Sequence, residues 1–204
     1  MLEIATLKPD FMGFIFYPPS PRHVGEKIAD LPLHLLSGNI EKVAVLVNEP
    51  LESARELVSR YKFNLVQLHG EESPEYCLEL RKNARVIKTF PVMDQLPSNL
   101  EDYLECCDFF LFDTRSEKRG GTGKSFNHEI LADYKLPKPF FLGGGIGPDF
   151  YKPEPAFQHP MLYALDINSR FETQPGIKDI EMIKAFITIK QNNDIRTNNN
   201  YNSD

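Results

Sequence analysis

The 204-residue sequence predicts an α/β chain of the TIM (β/α)8 barrel type, on three observations. Short apolar runs alternate with amphipathic stretches along the chain, and such alternation means parallel strands joined by right-handed crossovers, in a closed barrel or an open doubly wound sheet. No Gly-x-Gly-x-x-Gly follows an early strand, which weakens a dinucleotide-binding open sheet. A glycine-rich turn, Gly143 to Gly145, sits instead after the second-last strand, where barrels of this type commonly hold a phosphate between their last two loops.

The elements follow in order. Asp10 to Tyr17 is an apolar run stopped by Pro18 and Pro19, which cannot extend a central ladder. Ser20, Pro21 and Arg22 form its exit loop, and His23 to Leu31 is compatible with a helix. Glu41 to Val47 is β-branched and apolar; Leu51, Ala54, Leu57, Val58 and Tyr61 then recur at the spacing of a helix with one buried face. Asn64 to Leu68 is a strand with His69 and Gly70 at its tip, and Ser73-Pro74 supplies the N-cap and first-turn proline of the next helix. Arg85 to Phe90 repeats the strand signal and Leu96 to Cys107 the helical one. Phe109 to Asp113, Phe140 to Leu142 and Tyr163 to Ile167 complete seven expected strands. Asp179 to Lys190 closes the fold as a helix, so that residues 1–190 form one domain, and the asparagine-rich tail 191–204 has too few apolar groups to fold.

Composition narrows the function. With 41% hydrophobic and 25% charged residues, the chain is an ordinary globular one, and a formal charge of −6 argues against a nucleic-acid surface, which needs clustered cations. No apolar run approaches the roughly 20 residues that span a bilayer, and residues 1–8 lack the pattern of a signal peptide. The expectation is a cytoplasmic protein with a small-molecule partner; its oligomeric state is not legible. Cys77, Cys106 and Cys107 have neither disulfide-framework nor zinc spacing and read as buried thiols.

The chemistry concentrates in Phe109 to Phe126. An apolar strand ends there at a carboxylate, Asp113, and passes into a loop with Gly120, Gly121, Gly123 and Lys124. Barrel enzymes place their reacting groups at C-terminal strand ends, so Asp113 is the first catalytic candidate; a carboxylate capping the loop through Thr114 is the alternative. Arg22 and His69 also stand at strand ends, as either ligand-facing groups or surface and backbone-bonded ones. Gly144, Gly145, Ser169 and Arg170 fall in the last two loops, where glycines let backbone N–H groups approach phosphate oxygens.

Five motifs, GFIFYPPSPR (Gly13 to Arg22), VQLHGEE (Val66 to Glu72), LFDT followed by GGTGKSF (Leu111 to Phe126), LGGGI (Leu142 to Ile146) and ALDINS (Ala164 to Ser169), together resemble phosphoribosylanthranilate isomerase of tryptophan biosynthesis. They come in the family's order and spacing from about Phe11 to Lys190. The resemblance implies a (β/α)8 barrel that converts N-(5-phosphoribosyl)anthranilate to 1-(o-carboxyphenylamino)-1-deoxyribulose 5-phosphate, an Amadori rearrangement without a cofactor or metal. It implies Asp113 as general acid, Arg22 paired with the anthranilate carboxylate, His69 and Asp166 lining the pocket, Lys124 on a covering loop, and Gly144, Gly145, Ser169 and Arg170 around the phosphate.

The family's general base is a cysteine in a Lys-(Ile/Val)-Cys-Gly motif on the first strand, and that motif does not occur here. The resemblance therefore implies a barrel lacking its first strand, with Met1 an internal or misassigned start, or else a shorter native chain; as given, little activity is expected. The alternatives are another phosphosugar barrel such as indole-glycerol-phosphate synthase, for which Lys88 is the one candidate lysine, or a non-catalytic phosphate-binding barrel.

Overall fold

The computed structural model describes residues 1–36, 38–114, 127–149 and 155–199. Seven parallel strands form one curled sheet in sequential order: β1 (Phe11–Ile15), β2 (Glu41–Leu46), β3 (Leu65–Leu68), β4 (Arg85–Val92), β5 (Phe109–Thr114), β6 (Phe140–Leu142) and β7 (Leu162–Leu165). Each strand pairs with its sequence neighbour in parallel register, as Val66↔Val86 and Phe112↔Leu142 illustrate. Beyond the barrel strands, β8 (Glu172–Gln174) and β9 (Ile177–Lys178) make a small antiparallel hairpin. The helices are α1 (Leu2–Thr6), α2 (Leu51–Tyr61), α3 (Pro74–Arg81) and α4 (Ile180–Asn199).

Strand periodicity sorts the core into two sides. Successive side chains on a strand face opposite ways. Val43, Leu65, Ile87, Phe109, Leu111 and Phe141 therefore meet inside the curl, with Phe11 and Ala164 packed against them. Their sequence neighbours Ala44, Val66, Val86, Phe110 and Phe140 face outward and join Ala54 and Val58 of α2, Cys77 and Leu80 of α3, and Ile183 and Phe186 of α4. Phe110, Phe112 and Phe140 are each fully buried in this outer layer.

β1 and β7 are the two ends of the strand order and do not pair with each other. They approach nonetheless. The Phe11 ring lies edge-on to Phe141 at 5.1 Å and 6.1 Å from Tyr163, so aromatic packing closes the interior at the end where the strands begin.

Three expectations need correction. The segment His23 to Leu31 is not an α-helix but a 3-10 helix over Gly25–Asp30. Leu96 to Cys107 carries only a 3-10 turn, Glu101–Tyr103. Its buried residues Leu100, Tyr103 and Cys106 recur every third position, a spacing that the 3.0-residue period of that turn satisfies. The tail expected from Gln191 instead continues α4 to Asn199, because extending a formed helix fixes one residue for each hydrogen bond gained and is far easier than nucleating one.

Ser73 caps α3 as expected: its Oγ accepts from the Tyr76 amide, with Pro74 opening the helix.

Candidate active site

The alternation that buries Phe109 and Leu111 inside the curl carries Asp113 to the same side at the C-terminal end of β5. The same count on β3 runs from Leu65 to Gln67 and on to His69 beyond the strand end; on β6 it runs from Phe141 to Gly143, and on β7 from Ala164 to Asp166. Three strands thus deliver polar side chains, His69, Asp113 and Asp166, to one mouth, and a fourth delivers a glycine. His69 Nε2 lies 3.6 Å from Asp113 Oδ2, with about 30% of each side chain open to solvent. The Gln67 amide stands 3.3 Å from His69 Nδ1; with that amide donating, the ring proton sits on Nε2 and faces the carboxylate. Gly143 packs against Asp113, for a Cβ there would be 3.7 Å from Oδ1.

Burial in this cup raises the Asp113 carboxyl above its usual range, opposed by the Thr114 amide that donates to Oδ1 at 2.7 Å. Asp166 is pushed up to about 6, first by burial and then by the charge of Asp113, against the pull of His69 and Lys178. A carboxyl whose folded pKa exceeds its unfolded value of 3.8 takes up protons on folding, so its contribution to stability is complete below about 3.8 and is lost as pH rises through about 6. Asp166→Asn is therefore expected to gain melting temperature relative to the parent as pH is raised from about 4 to about 7. A difference that stays constant across that range would assign the perturbation elsewhere.

The loop that carries His69 is held from behind. Lys88 on β4 points outward with Val86 and Phe90, away from the interior, and is only 3% exposed. Its Nζ donates to the Gly70 carbonyl at 2.9 Å and to Glu72 Oε2 at 3.1 Å. Glu72 in turn accepts from the amides of Asn48 at 2.8 Å and Gly70 at 3.0 Å. A Cβ at Gly70 would collide with Asn48 Oδ1 and Glu72 Oε1, so only glycine fits under the histidine. Lys88 is thus a structural cation on the helix side of the sheet, which removes the lysine on which the indole-glycerol-phosphate synthase alternative rested.

The remaining predicted residues divide. Gly144 and Gly145 both hold φ of +80°, a conformation that turns consecutive backbone groups into a concave surface. Arg170 donates Nη1 to the Gly145 carbonyl at 3.0 Å and Nη2 to Asp149 at 2.7 Å, so its guanidinium fastens the β6 loop to the segment after β7. Ser169 opens the 3-10 turn Ser169–Phe171 beside it. Arg22 also reaches the mouth, but its fork is engaged: Nε and Nη2 bond the Glu172 carboxylate at 2.8 and 2.6 Å. Lys124 lies outside the described residues.

Glu172, Lys178, Gln67 and Glu72 were missed by sequence reasoning. Gln67, a polar residue inside the apolar run LVQL, was the available signal; the partner of Arg22, 150 residues away, had none. The three cysteines are buried, and Cys77 and Cys107 have thiols pushed well up by burial.

A curled parallel sheet with its carboxyls, imidazole and glycine turn gathered at the C-terminal strand ends defines a TIM-type barrel with an enzyme mouth. A family model described as N-(5'phosphoribosyl)anthranilate (PRA) isomerase matches residues 1–189. The N-(5'-phosphoribosyl)anthranilate isomerase of Parabacteroides distasonis is 42% identical over 192 residues, covering 91% of this chain and 85% of the relative. That of Phocaeicola vulgatus is 37% identical over 182 residues, covering 87% and 85%. Among solved structures, the phosphoribosyl anthranilate isomerase of Thermus thermophilus superposes with a TM-score of 0.79 at 28% identity, over 94% of this chain and 92% of that one. Another, in complex with reduced 1-(o-carboxyphenylamino)-1-deoxyribulose 5-phosphate, does so with a TM-score of 0.78 at 29% identity and the same coverage. The chain belongs to the N-(5'-phosphoribosyl)anthranilate isomerase family.

Proposed function

We propose that this mouth isomerises N-(5-phosphoribosyl)anthranilate to 1-(o-carboxyphenylamino)-1-deoxyribulose 5-phosphate in tryptophan biosynthesis, in the cytoplasm and without a cofactor. The observation that carries the reading is the juxtaposition of Asp113 with His69 at 3.6 Å, beside Gly143 and the glycine turn. Asp113, whose carboxyl burial raises above its usual range, donates its proton to the furanose ring oxygen as the C1–O bond breaks and the nitrogen lone pair forms the Schiff base. His69 and Asp166 flank the opened sugar. The N–H groups of Gly144, Gly145 and Ser169 hold the phosphate, with Arg170 bracing the turn. Arg22 faces the anthranilate carboxylate, for which a guanidinium fork is well shaped.

Removal of the C2 proton then gives the enolamine, which relaxes to the ketone. None of the three cysteines present can perform it: Cys77 sits on the outer face of the barrel among the helices, and Cys106 and Cys107 precede β5 at the opposite end from the mouth. The resemblance assigns that step to a cysteine on the family's first strand. The test is to measure conversion of the substrate by residues 1–204 and by the same chain preceded by a Lys-Ile-Cys-Gly strand. Low turnover from the first and a large gain in the second is the expected result; equal turnover would overturn the assignment of the base, and none from either the assignment of the reaction.

A further inference from the structure

We propose that Glu172 is a positioning residue for the ligand's carboxylate: by gripping Arg22 it fixes the plane of the guanidinium and latches the mouth between the two strands that do not pair. It rests on the reading of Arg22 given above and names what makes that arginine a site.

Arg22 lies in the loop after β1, held there by the Ser20 Oγ that accepts its amide at 3.2 Å and by the parallel bridge of Ile15 to His23. Glu172 begins β8, just beyond β7. The two residues therefore join opposite ends of the seven-strand order, at the end of the sheet opposite the Phe11 packing. The side chains are 11% and 3% exposed. Nε donates to both carboxylate oxygens, at 3.0 and 2.8 Å, and Nη2 to Oε2 at 2.6 Å. With Nε and Nη2 both committed, the guanidinium cannot turn about its stem. Nη1 makes no hydrogen bond among the described residues, so one edge of a planar cation is presented in a set direction.

Lys178 completes the device. Its Nζ donates to Glu172 Oε1 at 2.8 Å and to Asn168 Oδ1, at the tip of β7, at 2.5 Å. Gly176 adds its amide to Oε1 at 3.2 Å. Burial alone would raise the Glu172 carboxyl, but these bonds hold it below the usual range, so it stays ionised. Two cations then share one carboxylate. Arg22, Lys178 and Glu172 together carry one formal positive charge, and Glu172 keeps the arginine from rotating. An isolated Arg22 would have to be ordered at each binding event, and ordering a long side chain lowers affinity.

The test is equilibrium binding to the full chain of two probes: reduced 1-(o-carboxyphenylamino)-1-deoxyribulose 5-phosphate and its counterpart without the ring carboxylate. Glu172→Gln is expected to weaken the first about tenfold, as loss of charge-assisted orientation implies, and to leave the second unchanged. In an Arg22→Ala background the same replacement should cost nothing further. Equal weakening of both probes, or an unchanged affinity for the first, overturns the positioning role while the isomerase reading stands. Failure of the parent chain to bind either probe overturns both.

Discussion

Asp113→Asn is expected to abolish turnover by about 10²- to 10⁴-fold while leaving ligand affinity within a few-fold of the parent. Asparagine keeps the size and can still donate a hydrogen bond, but it cannot surrender a proton to the sugar ring oxygen. The site supports that distinction. Burial raises the Asp113 carboxyl above its usual range, and the Nε2 of His69 at 3.6 Å faces the carboxylate once the proton has left. On the proposed reading, binding rests on other groups, the glycine turn with φ of +80° and Arg22. The measurement is kcat in the strand-supplied chain together with the affinity for the reduced product analogue. Turnover equal to the parent would remove Asp113 as the acid; loss of both turnover and affinity would make it a binding group.

Lys88→Met should cost about 3–5 kcal/mol of stability, because it leaves the Glu72 charge buried without its cation. The pair is 4% and 2% exposed, so water does not replace the lost partner. Glu72→Gln in the same chain is expected to recover much of that loss: the glutamine carbonyl still accepts from the Asn48 and Gly70 amides, and no buried charge remains. Urea unfolding of the two single variants and the double checks both signs. Because Lys88 and Glu72 hold Gly70, directly after His69, the single variants should also bind the product analogue less tightly than the parent. A Lys88→Met chain of full stability that lacks turnover would instead return Lys88 to the chemistry.

Much of the fold is legible because strand and helix signals are local. Leu51, Ala54, Leu57 and Val58 describe an amphipathic helix by spacing alone, and FFLFD ends at its carboxylate whatever surrounds it. The errors fell where local signals are weak. Leu100, Tyr103 and Cys106 are apolar at a spacing that both helix types tolerate, and only their packing against β4 and α3 selects the tighter turn. Arg22 shows the corresponding limit for the site. Its position at a strand exit was readable, whereas its engagement by Glu172 was not, since 150 residues separate them.

The sequence by itself determined the alternation of strand and helix, the sheet's parallel sense, the glycine turn, and the carboxylate at the end of the fifth strand, all consequences of residue type and short-range spacing. Only the tertiary structure decided which way each side chain looks: Asp113 into the mouth, Lys88 one strand away into the helix layer, Arg22 onto Glu172 across the unpaired edges. The reason is physical. Side-chain direction follows from which face the curl of the sheet encloses, and charge pairing from how the two ends of the strand order are brought together; neither is set until the whole sheet has curled.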